Sequence, residues 1–207
     1  MADAAVTAAL SIIGDGSLVT RQALHLAPAL GYQAVTLFDD APPQGVPSDI
    51  ALRPGLAAGE VEHEQVFIAC AEAARRSALL AEWASHQLVN LIHPSTVVSP
   101  SAQLGRNVLL EALVYVGMNA RIEDGVLVNS RSGIEHDNVL GQCAFLGTGV
   151  TLCGHVTIGT RAFIGGGATV KPGVRVGPDV TLGTGAVLVA DALEPGVYVG
   201  MPAKRRI

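Results

Sequence analysis

Aromatic side chains make up only 4% of the 207 residues, although apolar residues reach 49%. A core must therefore be assembled from Val, Ile, Leu and Ala, without large rings at its centre. Charge is sparse too, at 15% of residues, and the net balance of −5 lacks the basic face that a nucleic-acid partner requires. No apolar run reaches the ~18 residues of a spanning helix, and the start Met-Ala-Asp-Ala-Ala has neither the basic nor the apolar region of a secretory signal. Cysteine is limited to Cys70, Cys143 and Cys153, an odd number without a CxxC pair. That usage suits a reducing cytoplasm better than a disulfide scaffold or a thiolate zinc site. The expectation is a soluble, cytoplasmic, mildly acidic protein with no membrane span and no nucleic-acid partner.

Glycine, by contrast, is abundant, at 24 of 207 residues, and much of it falls in a repeat. Stepping by six from Ile92 gives Val98, Leu104, Leu110, Val116, Ile122, Val128, Ile134, Leu140, Leu146, Leu152, Ile158, Ile164, Val170, Val176, Leu182 and Leu188, 17 aliphatic hits without a gap. The position four after each hit is also restricted, mostly to Ala or Val, with Ser132 and Asn138 among the exceptions. Gly often follows the aliphatic residue directly, as at Gly105, Gly117, Gly141, Gly147, Gly159, Gly165, Gly177 and Gly183. A period of six does not return to one face of a 3.6-residue helix, so helices are excluded. Short strands of a β-solenoid accommodate it: one aliphatic residue per hexad points inward, a small one packs behind it, and Gly is expected to permit the corner. Three hexads make a triangular turn of about 18 residues, and the repeat makes roughly five and a half coils. Residues 18 apart then lie one above another.

Residues 1–91 read differently. Ala9–Ile13 is a short apolar run ending in Gly14-Asp-Gly16-Ser17, followed by an amphipathic stretch from Leu18 to Leu30 with Gly31 as its stop. Gln33–Phe38 predicts a second strand closing in Asp39-Asp40, and a Pro/Gly-rich loop covers 41–59. Val66–Cys70 predicts a third strand and Ala71–His86 a second helix, so the alternation argues a small Rossmann-like parallel sheet. Gly14 and Gly16 occupy the place of a phosphate-binding turn, although Val19 stands where a dinucleotide fingerprint has its third glycine. Asp39 or Asp40 could hold a ribose hydroxyl; equally, the segment could be a tight turn and a solvated strand end. The expected organisation is a subdomain over 1–91, a β-helix over 92–190 and a tail over 191–207.

With these motifs in hand, the chain resembles the sugar acetyltransferases of the left-handed β-helix, or hexapeptide-repeat, superfamily. It is similar in particular to bacillosamine-type nucleotide-sugar N-acetyltransferases and sialic-acid O-acetyltransferases. The carriers are Ile13-Gly-Asp-Gly16, Phe38-Asp-Asp40, Ile92-His-Pro-Ser95, Ile134-Glu-His-Asp137, Thr151-Leu-Cys-Gly154 and Val199-Gly-Met-Pro-Ala-Lys204. The resemblance implies an acetyl-CoA-dependent transferase acting on an amino sugar, with a nucleotide-linked 4-amino sugar of bacterial glycan synthesis as the expected substrate. Sialic-acid-type O-acetylation and a non-catalytic trimeric binding module stay open as alternatives.

The resemblance carries roles residue by residue. His136 matches the family's base and Asp137 its neighbouring acid; a neutral imidazole suits proton removal from an attacking amine, and a carboxylate can orient it. Gly154 is His136 + 18, where a missing side chain leaves space for the thioester and a backbone N–H can meet the oxyanion. Coenzyme A contacts are implied at Phe145, Gly166 and Thr184, and substrate contacts at Gly14, Gly16, Ser17, Asp39, Asp40 and Asn129. Many relatives carry a second His at the position of Phe145, and a His in the N-terminal turn where Leu18 stands. Phe145 and Phe163, 18 apart, are expected to stack. His93 is read as a cap and His155 as flanking the site, with no metal expected. A homotrimer with sites between subunits is the implied assembly.

Overall fold

A computed structural model describes residues 9–54, 61 and 65–206, and the chain divides into two units, residues 1–91 and 92–207. In the first unit, β1 (Ala9–Gly14), β2 (Ala34–Phe38), β3 (Ala51–Arg53), β4 (Gln65–Ala69) and β5 (Gln87–Leu88) form one sheet in the order β3-β2-β1-β4-β5. Every pairing in it is parallel. Helix α1 (Leu18–Ala29) follows β1, and α2 (Ala73–Glu82) follows β4. β1 and β4 are almost wholly buried, as the apolar runs of a central parallel strand should be. Glu72 caps α2 by accepting from the N–H groups of Ala74 and Arg75 at 2.8 and 2.7 Å.

Two strands were not foreseen. β3 lies inside the segment read as loop 41–59, and its three residues are all exposed, so it carries no apolar signature. β5 is only two residues long and begins just after the helix expected over Ala71–His86, too short to show an alternation. The rest of that loop from residue 55 lies outside the described residues.

The second unit is a left-handed parallel β-helix with three faces. The first face consists of Val97–Val98, Tyr115–Val116, Gly133–Ile134, Thr151–Leu152, Thr169–Val170 and Val187–Leu188. The second consists of Gln103–Leu104, Arg121–Ile122, Val139–Leu140, Thr157–Ile158 and Arg175–Val176. The third includes Leu109–Leu110, Leu127–Val128, Phe145–Leu146, Phe163–Ile164 and Val180–Leu182. Partners such as Gly133↔Thr151 and Ile134↔Leu152 stand 18 residues apart, as the register requires. The aliphatic hit of each hexad closes its strand and points inward; from Leu110 to Leu188 every one is buried. With about 25 cal/mol stabilisation for each Å² of apolar surface removed from water, these stacked columns replace an aromatic core.

The corners are built otherwise than expected. At 14 successive positions, from Asn107 to Gly185 in steps of six, φ lies between +56° and +72°. Nine of these residues are not glycine, Asp137 (+58°) and His155 (+59°) among them. Each of those two N–H groups bonds along the solenoid axis, Asp137 N–H to Met118 O and His155 N–H to His136 O. A bond of this kind helps offset the strain of a left-handed residue. The glycines that follow the aliphatic hits serve close approach instead. A Cβ on Gly141 would stand 2.7 Å from Thr160 N, and one on Gly117 would stand 2.8 Å from Glu135 C and His136 N.

The segment expected as a tail over 191–207 continues the third face in its described residues, through Gly196–Gly200 and Ala203–Arg205. Gly196–Gly200 pairs in parallel with Val180–Leu182, and Ala203–Arg205 folds back antiparallel on it. Its alternation is too short to stand out from a loop in the sequence.

Candidate active site

His136 and Asp137 sit at the corner between the first and second faces, after the strand Gly133–Ile134. The left-handed backbone at Asp137 turns its carboxylate back toward the preceding ring, and His136 Nδ1 lies 2.8 Å from Asp137 Oδ2. With Asp137 ionised, this bond fixes the proton on Nδ1 and leaves the Nε2 lone pair free, the tautomer a base needs. Hydrogen bonds from His136 and then Asn119, with the neighbouring imidazoles, hold the Asp137 carboxyl below the ordinary carboxylate range. Asn119 stands one coil earlier and donates from Nδ2 to Asp137 Oδ1 at 3.1 Å.

Gly154 lies one coil on, and a Cβ there would overlap His136 Nε2 and Cε1. The space left by the missing side chain is thus filled by the imidazole, not kept open for a thioester as expected. Gly154 is buried, and among the described residues its N–H meets no acceptor. His155 follows in the register position of Asp137. Its ring meets that of His136 edge-on with centroids 5.0 Å apart, and its Nε2 lies 3.7 Å from Asp137 Oδ2. The register rule, applied to Asp137 as well as to His136, would have found both neighbours: 137 − 18 is Asn119 and 137 + 18 is His155.

His136, Asp137 and His155 offer ligand atoms within 4.8 Å of one another. Ligands around a tetrahedral zinc ion at about 2.0–2.1 Å stand roughly 3.4 Å apart. The 2.8 Å His136–Asp137 contact is instead a hydrogen bond, so the set reads as a bonded pair with a neighbouring imidazole. His93 lies far along the chain at the first corner, where Nδ1 bonds Ser95 Oγ at 2.8 Å and accepts from Ser95 N–H at 3.1 Å.

The remaining expected residues of this unit occupy a different corner. Asn129, Gly166 and Thr184 lie between the third and first faces, with Thr148, Gly166 and Thr184 forming one column. A Cβ on Gly147 would stand 2.6 Å from Gly166 N, so the coils approach closely there. Phe145 pairs with Phe163 in an edge-to-face contact of 5.4 Å on the outer side of the third face, not in a parallel stack and not in the core. One chain therefore does not bring the imidazole and the expected donor-binding column together. An open groove of about 620 Å³ on the second face, lined among others by Arg121, Glu123, Asp124 and Gln142, contains none of these residues.

In the first unit, Gly16 has φ +70° and Gly14 has no room for a Cβ, which would meet Asp39 Oδ2 at 2.5 Å. Asp39 is only 6% exposed, and both its oxygens are committed to the chain: Oδ2 accepts from Gly16 N–H at 2.7 Å and Oδ1 from Ala41 N–H at 2.9 Å. It braces the turn, one of the two readings the sequence leaves open, while Asp40 is exposed beside it. Asp15, which the sequence reading passed over, bonds Ser17 N–H and reaches Ala71 N–H after β4 at 3.1 Å. Burial pushes its carboxyl up, yet the bonds from Ser17, Cys70 and Ala71 together bring it below the ordinary value. Burial and the adjacent Asp15 raise the Cys70 thiol to about 12, so it is no nucleophile. Ser17 is the N-cap of α1, and its side chain makes no capping bond to the helix.

Comparisons with known proteins agree with this architecture. Residues 155–190 match the family described as bacterial transferase hexapeptide (six repeats). PerB from Caulobacter crescentus, solved with CoA and GDP-perosamine, is 32% identical over 99% of this chain and 100% of its own, with a TM-score of 0.86. A histidine-to-alanine mutant of the GDP-perosamine N-acetyltransferase from the same organism, also with CoA and GDP-perosamine, gives 32% and 0.88 over 99% of both chains. The acetyltransferase domain of PglB from Neisseria gonorrhoeae, in complex with acetyl coenzyme A, is 29% identical over 96% of this chain and 98% of its own, with a TM-score of 0.89.

Proposed function

Given that the chain belongs to the hexapeptide-repeat acetyltransferases and takes acetyl-CoA as acyl donor, we propose that it N-acetylates a nucleotide-linked amino sugar, with His136 as general base. The observation that carries this reading is the His136 ring, bonded at Nδ1 to Asp137 and seated over Gly154. No helix among the described residues is long and apolar enough to cross a membrane, and a nucleotide-linked substrate agrees with a cytoplasmic enzyme.

The amine nitrogen attacks the thioester carbonyl carbon, and Nε2 of His136 takes the proton released from nitrogen. Asp137 stabilises the imidazolium, as in other carboxylate–imidazole pairs. The oxyanion is met by Gly154 N–H, an interaction worth about 2.7–4 kcal/mol in other enzymes. Collapse breaks the carbon–sulfur bond, and the imidazolium returns its proton to the departing thiolate. A base of this kind contributes about 10²–10⁴ in rate.

The column Thr148–Gly166–Thr184, with small side chains and accessible main chain, is suited to an extended donor such as coenzyme A, and Phe145 offers an apolar flank nearby on the third face. Because this column and His136 occupy different corners, a complete site calls for two copies of the chain; this supports a trimer with shared sites. In the first unit, the turn Gly14–Ser17 and the start of α1 are assigned to the phosphates of the sugar nucleotide, since the first N–H groups of a helix lack acceptors within it. Asp40 is the carboxylate left exposed there. Asn129 is assigned to the sugar.

The test is thiol release from acetyl-CoA against a panel of 3-amino and 4-amino nucleotide sugars, with hydroxyl sugars such as sialic acid alongside. An amine acceptor turned over by the parent, with a His136→Ala variant at least a hundredfold slower, is the expected outcome. Activity of that variant within a few fold of the parent removes the catalytic assignment.

A further inference from the structure

The inward column of the solenoid is aliphatic in almost every coil, and the coil that carries His136 departs from this. Asn138, the residue after Asp137, occupies an inward position filled by Ala or Val one coil before and one coil after, at Ala120 and Val156. It is fully buried, and its amide is bonded at both ends. Oδ1 accepts from Val156 N–H at 2.6 Å, and Nδ2 reaches Leu152 O at 3.4 Å. These two partners bracket residues 152–156, the corner that presents Gly154 and His155.

That corner, like the one before it, where Val150 N–H goes to Ser132 Oγ, is closed by a side chain from the preceding coil. At corners with Ala in the fourth place, such as Ala144, Ala162 and Ala168, that N–H closes a turn on the carbonyl three residues before, of Gly141, Gly159 and Gly165. Val156 N–H is given instead to the Asn138 side chain from the preceding coil. The outside of the same corner is tied down by His155 N–H to His136 O at 3.0 Å. The pair of corners is thus clamped from within and from without. A buried amide in an aliphatic column destabilises unless it is bonded, and here its bonds fall on the main chain around Gly154.

We propose that Asn138 is a positioning residue for the acetyl transfer, holding the Gly154 N–H in the place where it meets the developing oxyanion. The inference rests on the catalytic reading of His136 and Gly154. The chain supplies its own precedent for substitution: Ala and Val fill this position in other coils, so Asn138→Ala can fold, with Val156 N–H free to close the ordinary turn. Ser132 shows that a hydroxyl in this column does the same work, since its Oγ accepts from Val150 N–H at 3.2 Å and donates to Gly147 O at 2.9 Å.

Three proteins are compared by thiol release and thermal unfolding: the parent, Asn138→Ala and Asn138→Ser. Removal of an oxyanion donor slows other enzymes roughly 10²–10³-fold; a displaced donor should lower kcat of Asn138→Ala about 10-fold or more. KM for acetyl-CoA should stay within twofold, and the pH profile should keep its shape, because the His136–Asp137 pair is untouched. Asn138→Ser should recover most of kcat. The proposal is overturned if folded Asn138→Ala keeps kcat within twofold of the parent. It is equally overturned if the kcat lost returns on cooling in step with the folded fraction, or if Ser is as slow as Ala. Should Asn138→Ala fail to fold, the kcat of Asn138→Ser alone decides. A parent inactive on every acceptor would instead remove the functional reading beneath.

Discussion

Asn119 Nδ2 and Asp137 Oδ1 meet at 3.1 Å across one turn of the solenoid. Asp137 is thereby held on one oxygen from the coil before and on the other by His136 Nδ1 at 2.8 Å. The first contact depends on the 18-residue register and the second on adjacency in the chain, so the acid of the pair is oriented by the fold as much as by its neighbour in sequence.

Removing Asp137 should therefore act through the ring. Asp137→Ala frees His136 Nδ1 and leaves its tautomer unspecified, so kcat should fall at least tenfold. Asn119→Ala removes only the brace and should cost a few fold. Steady-state thiol release for both variants, with circular dichroism as a folding control, checks the order.

Gly154→Ala should be more damaging than its size suggests. The new Cβ falls on the imidazole, which must swing away from the first-face corner. Activity should drop about a hundredfold, since a displacement near 1 Å can cost that much. A crystal structure of the variant with the ring unmoved would contradict the packing argument.

Two kinds of glycine should respond to substitution by different amounts. Gly141→Ala drives a Cβ to 2.7 Å from Thr160 main chain and should destabilise by about 1–3 kcal/mol. Gly149 has open space and φ +68°, a conformation that Asn107 and Asn119 already adopt at equivalent corners. Gly149→Asn should cost less than about 1 kcal/mol. Denaturant unfolding of the two variants gives the comparison.

In the first unit, Asp39→Ala strips acceptors from the N–H groups of Gly16 and Ala41. The loss should be about 1–3 kcal/mol, and it should appear as earlier thermal unfolding. A variant as stable as the parent would show that water replaces these bonds without penalty.

Acid stability follows from the aspartates at the corners. Bonds from Arg161 hold Asp179 below its ordinary 3.8, bonds from Arg175 do the same for Asp191, and His136 with Asn119 do it for Asp137. With the folded value below the unfolded one, the unfolded chain binds more protons in between. The stabilisation is then complete above the unfolded value and fades as pH falls through the folded one. Melting temperatures should decline below about pH 4, and Asp179→Asn should flatten that decline.

Much of this was legible in the residues. A period of six written 17 times specifies an inward column, and hence the solenoid and its 18-residue register; the resemblance points to His136, and counting from it leads to Gly154. Asp39 stays open in the sequence because a carboxylate at a strand end looks the same whether it faces a ligand or the chain. Strand β3 escaped because an exposed edge strand needs no apolar alternation. The corner glycines misled because Gly marks close approach as readily as a left-handed φ.

The chain by itself determined the architecture, since a repeated aliphatic spacing allows only one kind of core to be buried. Tertiary structure alone decided which atoms meet around that core: the Asn119 brace, the ring over Gly154 and the inward Asn138. These are contacts across coils, set by backbone direction and hydrogen-bond geometry at each corner, and a one-dimensional spacing does not encode in which direction a side chain turns.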